Sequence, residues 1–153
     1  MTHDEILSKS KTILAQMHES FVMATVSPQG MPHLFYMGGA IMEEPFTLFM
    51  ECFQDSAKVR HIQQNPSVEI LLSTPGHKHV ITLSGPASIE QSPEKRTMVW
   101  NRVPESSHYF DSPEDGRMCL IRVEVTHVVL QEKRDGIHEK FETDVHMPVE
   151  HIS

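Results

Sequence analysis

Apolar positions recur along this chain at two different spacings, and the change from one to the other organises it. Over residues 2–17, Ile6, Leu7, Ile13, Leu14 and Met17 fall on one face at helical period, with Ser10 interrupting the stripe. Thr2 and Glu5 have capping-box spacing, so an amphipathic helix is predicted there. From residue 21 the period shortens. Residues 21–27 (FVMATVS) and 32–42 (PHLFYMGGAIM) predict two strands joined by the turn Pro28-Gln29-Gly30, and residues 46–52 a third after Glu43-Glu44-Pro45. Gly38-Gly39 inside the second strand predicts a bulge or a close approach by other backbone or a ligand. A helix follows over 57–64, stopped by Asn65-Pro66 because a residue before proline is pushed out of the helical region. Strands are predicted at 67–73, at 80–89 with a bend at Gly85-Pro86, and at 118–130. Ser92-Pro93-Glu94 opens a helix that runs to about residue 103, and 106–115 reads as a polar and aromatic connector. The expected architecture is mainly β with short helices: six antiparallel strands in a small barrel with helices at its ends. It forms a single domain over residues 1–131, followed by a partly ordered C-terminal tail, 132–153.

Length and composition agree with one soluble globular domain. A chain of 153 residues buries about 70% of its accessible surface on folding, enough for a core without staples. A formal net charge of −8 argues against sequence-independent nucleic-acid binding, which needs clustered Lys and Arg. Only two cysteines occur, Cys52 and Cys119, both in apolar strand-like runs, and they read as buried reduced thiols. No apolar run approaches transmembrane length, and MTHDEILSK carries no secretory apolar region; a cytoplasmic protein is expected.

Candidate chemistry centres on the start of the helix at 57–64. Ser56 is a good N-cap, its hydroxyl able to accept from a first-turn N–H. Free N–H groups, the positive dipole end and the Lys58 ammonium make this turn suited to a phosphate; the same features also suit an ordinary capped connector helix. Histidine is over-represented, with 11 in 153 residues. His77 and His79 form an H-x-H pair without a third ligand at local spacing, so no metal site is assigned. His33, beside the glycines, is placed either in a pocket wall or in a structural role; His138, His146 and His151 fall in the tail and are expected in solvent. Trp100, followed by Tyr109 and Phe110, could cover a planar ring, form an oligomer contact or lie in the core. No G-x-S-x-G, P-loop, G-x-G-x-x-G or H-E-x-x-H is present, so any chemistry points to an organic cofactor.

Taken in order, these pieces resemble the pyridoxamine-phosphate-oxidase-like FMN-binding split barrels, and their general-stress-protein branch in particular. Ser56-Ala57-Lys58-Val59-Arg60 followed by Asn65-Pro66-Ser67-Val68 looks like the family's S-x-K-V-x-x-[IL]-x-x-N-P-x-V run. ATVSPQGMPH from Ala24 looks like its first hairpin, LSGPASI from Leu83 like its G-x-A strand and CLIRVEV from Cys119 like its last barrel strand. The resemblance implies a homodimer of six-stranded split barrels with FMN in two clefts at the subunit interface. It implies that Ser56 and Lys58 hold the flavin phosphate, with further contacts from the second strand (His33, Phe35, Tyr36, Met37) and from Cys52 at the end of the third; Trp100 completes the candidate set. Phe35 stands where the family often has arginine, Tyr36 where it has proline, and Cys52 where it often has threonine. A hydrogen bond to a charged group contributes about 1.5–3 kcal/mol, so the loss of two without replacement would weaken FMN binding by roughly two to four decades.

The function so implied is an FMN-dependent oxidoreductase of unassigned substrate and with no assigned catalytic residues. Two further readings stay open: a binding module on the same barrel for haem or a deazaflavin, motivated by Phe35, Tyr36, Met37 and the histidines, and a non-catalytic dimeric stress or interaction protein with no cofactor.

Overall fold

The structure is a computed structural model that describes residues 1–16 and 20–146. Met17, at the end of the expected first helix, and His151 lie outside the described residues. Helix α1 (His3–Gln16) turns Ile6, Ile13 and Leu14 inward, and Ser10 is buried with them. β1 (Phe21–Val26) and β2 (Pro32–Met37) form the first hairpin. β3 (Ile41–Glu43) and β4 (Thr47–Phe53) form the second. Helix α2 (Ala57–Gln64) then leads into β5 (Ser67–Ser73) and the 12-residue β6 (His79–Glu90). Helices α3 (Pro93–Arg102) and α4 (Ser106–Tyr109) precede β7 (Met118–Glu124), β8 (His127–Arg134) and β9 (Ile137–Asp144).

All pairings are antiparallel, in the order β2-β1-β5-β6-β7-β4-β3, with β8 on the first half of β6 and β9 beyond it. Nine strands therefore replace the six expected, and the described sheet is not closed. Two of the expected strands are divided. Residues 32–42 split because β2 pairs with β1 whereas β3 pairs with β4, the chain passing between the two ladders at Gly38-Gly39. Residues 118–130 split because β7 pairs with β4 and the second half of β6, whereas β8 pairs with its first half. The tail expected from residue 132 begins inside β8, and residues 137–144 form β9 along its whole length. Phe141 packs on the core, and α1 lies over this hairpin, with Lys9 ion-paired to the buried Glu132 and His3 Nδ1 2.7 Å from Thr143 Oγ1.

β6 is the hinge of the architecture. Its residues 79–84 lie between β5 and β8, and residues 87–90 pair with β7. At the bend a Cβ on Gly85 would lie 1.9 Å from the Glu124 carbonyl oxygen, so only glycine lets the two backbones approach this closely. The main core fills the interior with Met23, Leu48, Met50, Ile70, Ile81, Leu83, Ile121, Val128 and Leu130. A second cluster, Phe49, Val99 and Leu120, forms outside it where α3 covers β4 and β7.

Candidate functional site

Strand alternation makes β4 two-faced. Leu48, Met50 and Cys52 enter the core, while Phe49, Glu51 and Phe53 face outward. Ala57 to Gln64 folds back from the end of this strand, and α3 with α4 approaches its outer face. Between them lies a cleft of about 300 Å³, at the low end of small-molecule sites. Its floor is the 49–53 segment of β4; Tyr36 to Gly39 and Lys58 form one end, and Val99, Val103, Glu105, Ser106, Tyr109 and Phe110 form the opposite wall. Phe53 meets Tyr109 edge-on at 6.4 Å between ring centres and Phe110 at 5.1 Å, so the wall is aromatic.

Four of the eight candidate cofactor contacts line this cleft: Tyr36, Met37, Cys52 and Lys58. Ser56 occupies the N-cap of α2, but its hydroxyl makes no capping bond. Its Oγ is instead buried, with no partner beyond a weak contact to the Cys52 thiol, a departure from the expected cap, and Ser56 is not among the residues lining the cleft. The oxygen lies beside Cys52. Cys52 faces Cys119 across β4 and β7; the Cys119 thiol first, then Lys58 and Ser56, hold the Cys52 thiol below its ordinary pKa against the effect of burial. Cys119, hydrogen-bonded to it and buried, is pushed up. Both cysteines are free.

Phe35 does not line the cleft. Its ring lies under Lys58, with Nζ 5.0 Å from the ring centre, so the residue in the family's arginine position seats the lysine by a cation–π contact. Arg60 points away from the cleft and pairs with Asp55 at 3.3 Å. His33 stands 5.0 Å from the buried His61, which shares a 2.8 Å hydrogen bond with Thr25. Trp100 is half-buried on α3 and is not among the lining residues; Tyr109 and Phe110 supply the aromatic wall. His77 is exposed in a turn, and His79 turns to Glu132 at 3.6 Å, so the H-x-H pair does not converge. Among the described residues no three His, Cys, Asp or Glu side chains gather as a metal site, and no helix is long and apolar enough to cross a membrane.

Glu51, outside the candidate set, is the single charge in the apolar strand β4. That isolation was the available signal. Ser106 Oγ sits 2.7 Å from both Glu51 carboxylate oxygens, and burial raises the Glu51 pKa, opposed by this hydrogen bond and by the Arg96 charge.

A family model described as pyridoxamine 5'-phosphate oxidase matches residues 8–132. The chain is 27% identical over 128 residues to general stress protein 26 of Bacillus subtilis, covering 81% of this chain and 86% of that protein. Its structure is similar to that of general stress protein 26 from Bacillus anthracis, with a TM-score of 0.69, 25% identity, and coverage of 84% and 92% of the two chains. The fold is also shared with a pyridoxamine 5'-phosphate oxidase-related, FMN-binding protein from Nostoc punctiforme, with a TM-score of 0.63, 16% identity and coverage of 94% of each chain.

Proposed function

We propose that this chain, which belongs to the pyridoxamine 5'-phosphate oxidase family, binds FMN in the cleft between β4 and α4 and serves as a flavin-dependent oxidoreductase. The observation that carries the reading is the start of α2. A buried hydroxyl without a partner is costly unless something supplies one. The Ser56 Oγ is buried with no partner beyond a weak contact to the Cys52 thiol, and Lys58 stands two residues on, in the first turn of α2. A phosphate accepting from both would satisfy the hydroxyl and complement the positive end of the helix. The planar body of the flavin would then be held against the outer face of β4, with the Tyr109-Phe110 wall beside it. Bound FMN would supply two-electron transfer; the chain supplies anchoring, orientation and exclusion of water by its aromatic wall.

The rim of the cleft is unfilled by its own chain. Tyr36 is 84% exposed and Tyr109 59%. Leu34 and Leu71 add exposed apolar surface on the outer face of the sheet that carries Tyr36. These features support a homodimer in which a second copy completes each cleft. No histidine lines the cleft among the described residues, so the histidines that motivated the haem reading do not meet there.

The test is titration of the purified protein with FMN, read by quenching of flavin fluorescence and by the spectrum retained through desalting. Saturation is expected, and Lys58→Ala should weaken FMN binding by roughly 10–150-fold, the worth of one charge-assisted hydrogen bond, while leaving riboflavin binding unchanged. Absence of quenching up to tens of micromolar would reject FMN and leave a deazaflavin or an emptied cleft.

A further inference from the structure

Glu51 is an anomaly in β4. It is the only charged residue of TLFMECF, it stands between Phe49 and Phe53 on the outward face, and it lies opposite Leu120 on β7. Only one donor reaches it among the described residues. Ser106, 1% exposed at the start of α4, sits equidistant from both carboxylate oxygens, but its single hydroxyl proton serves one at a time. Arg96, whose charge acts on Glu51, has its hydrogen bonds committed elsewhere: its three guanidinium nitrogens donate to the carbonyls of Pro113, Met118 and Asp115 at 2.8–2.9 Å. A carboxylate has about four acceptor positions, so the single Ser106 hydroxyl leaves capacity on Glu51, which lines the cleft floor, for a further donor. As a mere strut for α4 this is a poor arrangement, because a half-buried charge is expensive and a neutral Gln would bond Ser106 equally well. The groups that share the cleft with it are Lys58 from α2, Cys52 on its own strand, Tyr36 from β2, and Glu105 and Tyr109 from the α4 segment.

Resting on the FMN reading, we infer that Glu51, seated by Ser106, is the cleft's acceptor for an N–H or O–H donor of the bound ligand and fixes its orientation from the cleft floor. The site would then select a ligand with three features: an anionic group for Lys58, a planar body for the aromatic wall, and a hydrogen-bond donor for Glu51. Ser106 acts only through Glu51 and is a positioning residue.

The test compares FMN and riboflavin titrations of the unaltered protein, Glu51→Gln and Lys58→Ala between pH 5 and pH 8.5, with melting temperatures alongside. Gln keeps an acceptor for Ser106 but turns donors toward the ligand. Glu51→Gln should weaken FMN and riboflavin alike, by about tenfold or more at pH 8, with little change in melting temperature. In the unaltered protein both affinities should fall toward acid pH as the carboxylate takes a proton, and the variant should flatten that profile. Lys58→Ala should instead weaken FMN alone. A variant that binds FMN as tightly as the unaltered protein, with the same pH profile, would overturn the role of Glu51 while the flavin site stands. So would an affinity loss that merely tracks a lowered melting temperature. Failure of the unaltered protein to bind either flavin would instead overturn the FMN reading, and this inference with it.

Discussion

His61 shows how a single residue couples the stability of the fold to pH. It projects from α2 into the barrel, hydrogen-bonded to the buried Thr25 and flanked by His33. Burial, then the neighbouring His33 and Arg60, hold its imidazole below the ordinary value. The folded protein therefore keeps His61 neutral where the unfolded chain takes a proton. Its contribution to stability is complete above the unfolded pKa of about 6.5 and is lost as pH falls through the lower folded value. His61→Gln retains a partner for Thr25 and removes the titration. Denaturant unfolding at pH 8 and pH 5.5 should show a smaller acid loss of stability in the variant; identical losses in both proteins would rule His61 out as the source. Lys58 stood out locally as the cation of a helix start, whereas Tyr36 and Met37 entered only through the family resemblance; the fold brings all three to the lining of one cleft. Ser106 was not, since its meaning depends on Glu51, 55 residues earlier.

At the scale of elements, β6 belongs to two ladders, and Gly85 is where it leaves one for the other. Any side chain there meets the Glu124 carbonyl, which is backbone and cannot rotate away. Gly85→Ala should destabilise the protein by at least the ~1–3 kcal/mol typical of overpacking, with a midpoint shift in urea unfolding as the readout. A neutral outcome would mean that β6 and the Glu124-Val125 corner can separate without loss. The bend itself was visible in the sequence as Gly85-Pro86, and the segments of β1 and β5 were visible as strands. The breaks at Gly38-Gly39 and around Val125-Thr126 were harder to see, because apolar residues continue through both. What ends a strand there is a change of partner, and pairing across 70 or more residues, as between Thr47 and Glu124, leaves no local mark. β9 escaped for the related reason that its outward residues are polar and its contribution to the core is almost confined to Phe141.

For the whole molecule the unresolved relation is between the cleft and the apolar outer face beside it. Tyr36, Val22 and Leu71 stand in register across β2, β1 and β5, and Leu34, Ala24 and the exposed Glu69 form the next row. Leu34 is 72% exposed and Leu71 46%. Two copies of a chain with net charge −8 repel at long range, so their association must draw on apolar area. A two-fold pairing would set this face against itself and bring each Tyr36 rim near a partner. Leu34 and Leu71 do not line the cleft, which makes them clean probes. In sedimentation the unaltered protein should run at twice the 17.5 kDa chain mass, and the double variant Leu34→Glu, Leu71→Glu at the single mass. If the partner completes the cleft, the double variant should also lose FMN affinity although every residue of its own cleft is intact. A protein already at single mass would remove the dimer from the proposal. A monomeric double variant that binds FMN as tightly as the parent would instead make the cleft a site of one chain, with Tyr109 and Phe110 sufficient to cover the ring.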